Sequence, residues 1–187
     1  MKKTYHISIA GLERDLPLCP ISDSLSIGAF IMFGDVEMTK VCAKELLRLA
    51  PPHDIMITAE TKGIPLLYEM ARQENAPDYV LARKAPKLYM EDIVTTKVDS
   101  ITTANQQTLC IGRREAEAMK GKRVLIVDDV VSTGESLAAI ETLVNQVGGN
   151  IVGKMAVLAE GDAVHRKDLI YLQKLPLFHP DGRAIEA

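Results

Sequence analysis

The stretch that most limits what this chain can fold into is residues 124–136, Val-Leu-Ile-Val-Asp-Asp-Val-Val-Ser-Thr-Gly-Glu-Ser. Its apolar opening predicts a buried strand over 123–127. The helical spacing of Leu137, Ile140, Leu143, Val144 and Val147 predicts a helix over 135–147 that ends at Gly148-Gly149. A buried strand that turns directly into a helix is the working unit of an α/β domain with a mainly parallel sheet. Asp128 and Asp129, at the carboxyl end of the strand, enter the crevice where open α/β sheets bind ligands. Adjacent carboxylates repel unless something offsets them, and sugar hydroxyls or a hydrated Mg2+ would do so. The small residues that follow, Ser132 to Ser136, lie at a helix N-terminus, where unpaired amides and the positive dipole end accept an anion such as phosphate. Taken separately, these residues also fit a solvated strand end and ordinary helix capping.

The rest of the chain repeats the alternation. Val41, Ala43, Leu46 and Leu49 place an apolar stripe on a helix over 38–49. Residues 54–59 read as a short strand, Glu60-Thr61-Lys62-Gly63 as a loop and 64–74 as a helix. Asn75-Ala76-Pro77 is a turn before a strand over 78–83. A long polar segment follows, in which 93–98 and 107–111 look like two strands of a β-ribbon, so residues 84–107 are expected to form a mobile loop. Further strands are expected over 150–158 and 168–172. Residues 1–37 have weaker periodicity and are expected to form a small hood over the sheet. There is no internal repeat or low-complexity tract, and 187 residues suit a single domain. The predicted class is therefore α/β, a mainly parallel sheet flanked by helices, with a hood and a mobile β-ribbon loop.

Composition narrows the choice of partners. With 47% hydrophobic and 25% charged residues the chain belongs among folded globular proteins. A net charge of -3 gives no general electrostatic reason to bind nucleic acid or a membrane surface. Cys19, Cys42 and Cys110 have neither CxxC nor CxxH spacing and read as reduced thiols. The start of the chain lacks a signal-peptide h-region, and no apolar run reaches the roughly 18 residues a membrane span needs, so a cytoplasmic protein is expected. His6, His53, His165 and His179 stand in unrelated contexts and read as surface or core residues. The GxxxxGK[ST] loop of nucleotide hydrolases and kinases is absent from the sequence.

Taken whole, residues 124–136 resemble the phosphoribosyl pyrophosphate motif of type I phosphoribosyltransferases at nearly every position. The resemblance implies that Asp128 and Asp129 hold the ribose 2- and 3-hydroxyls beside Mg2+, and that Val131, Ser132, Thr133, Gly134, Glu135 and Ser136 cradle the 5-phosphate. Glu135 departs from the motif where many members carry a second glycine. Glu60-Thr61-Lys62-Gly63 is similar to the loop with which adenine phosphoribosyltransferases grip pyrophosphate, with Lys62 where arginine is usual, so that the charge is kept and the bidentate fork lost. Val80-Leu81-Ala82-Arg83-Lys84 together with Lys87 resembles the basic strand end before the catalytic loop of the adenine and xanthine enzymes.

Asp99 lies where the adenine enzymes carry a Glu-Tyr pair. In the hood, Phe33, with Phe30, is the expected flank of a purine base, and Gly34 stands where those enzymes commonly carry arginine. The function implied is transfer of a purine, adenine foremost, onto phosphoribosyl pyrophosphate with release of pyrophosphate, by a homodimer. The alternatives are a xanthine or hypoxanthine-guanine enzyme, or a regulator that keeps the donor site without catalysis. Orotate transfer is disfavoured because its enzymes usually have Glu-Asp in place of Asp128-Asp129. Synthesis of the donor is disfavoured because it takes two such domains.

Overall fold

Along residues 123–131 the side chains alternate between two interiors. Leu125 and Val127 pack on one side, Val124 and Ile126 on the other, and all four are fully buried. A strand buried on both faces belongs in the middle of a sheet with helices on each side. The structure, a computed structural model, describes residues 3–98 and 107–185. In chain order its elements are β1 (Thr4–Ile9), β2 (Leu12–Pro20), β3 (Ser26–Gly28), α1 (Val36–Leu49), β4 (Ile55–Ala59), α2 (Ile64–Glu74), β5 (Val80–Ala82), β6 (Val94–Val98), β7 (Gln107–Ile111), α3 (Arg113–Met119), β8 (Arg123–Val131), α4 (Glu135–Gln146), β9 (Asn150–Glu160), a 3-10 turn (Gly161–His165), β10 (Ile170–Leu175), β11 (Leu177–Phe178) and β12 (Ala184–Ile185).

The main sheet has the order β10-β9-β8-β4-β5, and every pairing in it is parallel. Helices α1 and α2 cover the face carrying Leu125 and Val127. Met119 of α3 and Leu137, Ile140, Leu143 and Val144 of α4 cover the other. The stripe expected on the first helix is rotated. Met38, Thr39, Cys42, Ala43 and Leu46 face inward, whereas Leu49 is exposed and Val41 only partly covered. Helix α3 was not expected, because seven residues are too few for a legible period.

Strand β8 is also longer than its apolar run. Its ladder continues past the acids to Val131, which pairs with Ala159 of β9, so Asp128 and Asp129 sit inside the last turns of a hydrogen-bonded strand. The parallel neighbour overrides the low strand propensity of aspartate. Strand β10 runs from Ile170 rather than 168, leaving Asp168 in the preceding loop.

The hood is an antiparallel sheet of order β1-β2-β3-β11-β12. Both ends of the chain build it, and the Tyr5 and Phe178 rings meet in it at 4.9 Å between centroids. The C-terminal strands, two residues each, carry no periodicity that a sequence could reveal. The expected ribbon is present as antiparallel β6 and β7. Its base is anchored: Thr96, Leu109, Cys110 and Ile111 are buried, and Arg83 and Cys110 exchange backbone hydrogen bonds of 2.8 Å. The expected loop acid, Asp99, lies outside the described residues. Among the described residues the three cysteines are free, and no helix is long and apolar enough to cross a membrane.

Candidate functional site

Asp128 and Asp129 reach the crevice at the carboxyl end of β8 almost without solvent contact, at 5% and 4% exposure. The Asp128 Oδ1 atom accepts the Asp129 amide at 2.9 Å and the Thr61 hydroxyl at 3.3 Å. Thr61 Oγ1 in turn accepts the Gly63 amide at 3.3 Å, so the loop before α2 is tied to the acid pair. Gly63 is a steric requirement here: a Cβ would stand 2.9 Å from Thr58 Oγ1 and 3.1 Å from Asp128 Oδ1. Burial first, and the Asp129 charge second, push the Asp128 carboxyl well above the usual aspartate range.

Asp129 Oδ2 is buried without a hydrogen-bond partner, and the Lys62 ammonium stands 3.6 Å away. Lys62 also donates to the Phe30 carbonyl at 3.0 Å, linking hood to acid pair. A buried acceptor left open in this way calls for an outside donor, such as a hydroxyl or a hydrated cation. Among the described residues no group of three or more acids, histidines or cysteines forms a protein-only metal cage. Two adjacent carboxylates at a crevice fit an oxygen-preferring ion such as Mg2+, which keeps several waters and takes further oxygens from a phosphorylated ligand.

Beyond Val131, whose side chain is in the core, the chain turns through Ser132 and Thr133 to Gly134. Gly134 is the N-cap of α4 and adopts φ +81°, a left-handed conformation suited to glycine. The Glu135 amide reaches Thr133 Oγ1 at 3.5 Å. Across the loop, Glu160 at the end of β9 is 7% exposed. Burial raises its pKa, against the pull of the Ser132 hydroxyl and the Lys62 charge.

Glu60 organises a third group. Its carboxylate takes the Arg83 guanidinium at 3.1 Å, the Lys84 amide at 3.1 Å and the Lys87 ammonium at 3.7 Å. The Lys84 amide leads, with the Lys87 and Arg83 charges, in holding the Glu60 carboxyl below its usual range.

The model of the phosphoribosyl transferase domain family matches residues 43–174. This chain belongs to that family. Among relatives, the purine biosynthesis transcriptional repressor PurR of Bacillus subtilis is 31% identical over 114 residues, 61% of this chain and 39% of the repressor. A hypoxanthine/guanine phosphoribosyltransferase of Methanococcus voltae is 31% identical over 143 residues, 76% of this chain and 70% of that protein. An adenine phosphoribosyltransferase of Cenarchaeum symbiosum is 33% identical over 138 residues, 68% of this chain and 78% of that protein. The structure of adenine phosphoribosyltransferase from Rhodothermus marinus superposes with a TM-score of 0.63 at 21% identity, covering 92% of this chain and 94% of that one. The fold is that of the type I phosphoribosyltransferases.

Within this family fold, Thr61, Lys62, Gly63, Asp128 and Asp129 converge at one place, as the sequence reading expects. Arg83, Lys84 and Lys87 also come together, around Glu60. The Glu60 carboxylate faces the Arg83 and Lys87 cations and meets Lys84 only at its backbone amide, so its visible task is to hold this strand end in place. Val131 offers a ligand backbone at most. Phe33 is exposed at 56%, while Phe30 is a core residue at 3%. Glu160 carries a sequence signal of its own, an acid just before a glycine at the end of an apolar strand. Arg166 stands in no motif, and the fold alone brings it to Gly134.

Proposed function

We propose that this phosphoribosyltransferase-family chain transfers a purine, adenine in the first instance, to phosphoribosyl pyrophosphate, releasing pyrophosphate and forming a nucleoside monophosphate. The observation that carries this reading is the buried Asp129 Oδ2 beside Asp128, which accepts no hydrogen bond and lies one loop away from the start of α4. A ribose diol fits the first and its 5-phosphate fits the second. Asp128 and Asp129 would accept the two hydroxyls and lie beside Mg2+, which when bound neutralises charge on the leaving pyrophosphate. Arg83, Lys84 and Lys87, gathered by Glu60, supply positive charge for the same group, and Lys62 adds its own from the α2 side. As the bond from the anomeric carbon to pyrophosphate oxygen breaks, positive charge builds on the ribose and the two carboxylates face it. The purine nitrogen then bonds to that carbon, with no enzyme nucleophile required.

Adenine as the base draws support from the Cenarchaeum relative and from the adenine phosphoribosyltransferase structures that share the fold, and Phe33 is the proposed flank of the base. A homodimer follows the same reading. A second reading, a sensor that binds the donor without turnover, is favoured by the match to the PurR repressor, of which this chain spans 39%. The deciding experiment is pyrophosphate release from the donor with Mg2+, offering adenine, hypoxanthine, guanine and xanthine singly. Release with adenine supports the first reading, and release with another base alone replaces adenine. Calorimetric donor binding with no release for any base moves the assignment to the sensor.

A further inference from the structure

Arg166 follows the 3-10 turn after β9, and its guanidinium lies against the start of α4. Its Nη1 atom is 2.7 Å from the position a Cβ would take on Gly134, and Cζ is 3.7 Å from it. A Cβ at residue 134 would crowd the guanidinium in its present place. The other edge of the fork is fixed: Nε and Nη2 donate to the two oxygens of Asp168 at 3.1 and 2.8 Å.

Asp168 is itself held. It accepts from Lys154 of β9 at 2.8 Å, and Lys154 pairs with Glu141 of α4 at 2.9 Å. Arg166, and Lys154 after it, hold the Asp168 carboxyl below the usual aspartate range. A chain of ionic contacts thus runs from the middle of α4 through β9 to Arg166, which returns to the N-cap of the same helix. Lys154 and Arg166 are balanced in this network by Asp168 and Glu141, while the Arg166 Nη1 atom is turned toward Gly134. Solvent reaches part of its side chain, at 31% exposure, as it must if an incoming anion is to meet it.

We propose that Arg166 is a phosphate ligand: its fixed guanidinium completes the loop at residues 132–136 and takes the 5-phosphate of the donor, with Asp168 as its positioning residue. The inference rests on the donor-site reading above. Backbone amides and the helix dipole offer a phosphate its first donors at the start of α4, and a braced guanidinium adds charge-assisted hydrogen bonds in a set direction.

The test uses the full chain and isothermal calorimetry with ribose 5-phosphate and, separately, with pyrophosphate plus Mg2+. Arg166→Gln is expected to weaken ribose 5-phosphate by about tenfold or more while leaving pyrophosphate within roughly twofold. Arg166→Lys, which keeps the charge without the fork, is expected to fall between and serves as the deciding variant should the glutamine protein fail to fold. In turnover, the KM for the donor should rise more than kcat falls. Unchanged ribose 5-phosphate binding in either folded variant overturns the inference, and so does equal weakening of both ligands, which would make Arg166 a brace. If the unmodified protein binds neither ligand, the donor-site reading itself is lost; that outcome is distinct from both.

Discussion

Ionisation of Asp128 is opposed twice, by burial and by Asp129 next to it. A carboxyl whose folded pKa lies above its ordinary 3.8 contributes stability that is fully present below about that pH and is lost as pH rises through the folded value. The ligand-free protein should therefore carry a stability penalty near neutrality that donor and Mg2+ relieve. Asp128→Asn keeps an oxygen for Thr61 and the Asp129 amide and removes the charge. It should raise unfolding stability by about 1–2 kcal/mol at pH 8, with a smaller gain at pH 4, and weaken donor binding by at least about tenfold. Thermal unfolding at both pH values beside calorimetry checks this; a variant less stable at pH 8 than the parent would refute the account. Gly63→Ala tests the same pair sterically. With the buried side-chain oxygens of Thr58 and Asp128 at 2.9 and 3.1 Å, the methyl group should cost about 1–3 kcal/mol and displace Asp128, seen as a lowered melting temperature together with weaker donor binding.

Among the elements, those with long periods were the legible ones. Helix α2 was expected at the residues it occupies. α4 differs only at its last turn, because Leu137, Ile140, Leu143 and Val144 do face the core. β8 was read short because its ladder is maintained by β9, a partner distant in sequence. The orientation of α1 was misjudged because Met38 and Cys42 weigh less in an apolar pattern than Val41 and Leu49, although the fold buries the first pair. That helix offers a clean test at its start. Asp35 accepts the Met38 amide at 3.0 Å and takes Arg14 at 2.7 Å, and Arg14 leads the causes that lower its pKa. This contribution exists above the ordinary aspartate pKa and disappears as pH falls through the lowered one. Asp35→Ala should destabilise the protein by about 1 kcal/mol at pH 7, mostly through the lost cap. Urea denaturation should show the gap between parent and variant narrowing as pH falls below the ordinary aspartate range.

At the scale of the whole molecule, the site was more legible than the body that holds it. A local run of residues specifies the acid pair and the anion loop, so the sequence shows them directly. Lys62 reaching Phe30, Glu60 gathering Arg83 and Lys87, and Arg166 over Gly134 all join segments far apart in the chain, and only the fold brings them together. The Glu60 cluster gives this architecture a consequence for the ribbon. Arg83 and Lys87, at the root of the 84–107 segment, are held by a carboxylate that a bound pyrophosphate would have to outbid for the same cations. Leu88 and Tyr89 just beyond them are fully and largely exposed, so proteases can reach this stretch in the free protein. Pyrophosphate with Mg2+ should draw Arg83, Lys84 and Lys87 toward the crevice and slow tryptic cutting within 84–107 by about fivefold or more, while cutting elsewhere is unchanged. Ribose 5-phosphate, which lacks the group those cations would bind, should protect far less. Equal protection by the two ligands, or none from either, would separate the basic cluster from the leaving group and confine Arg83 and Lys87 to a structural pairing with Glu60.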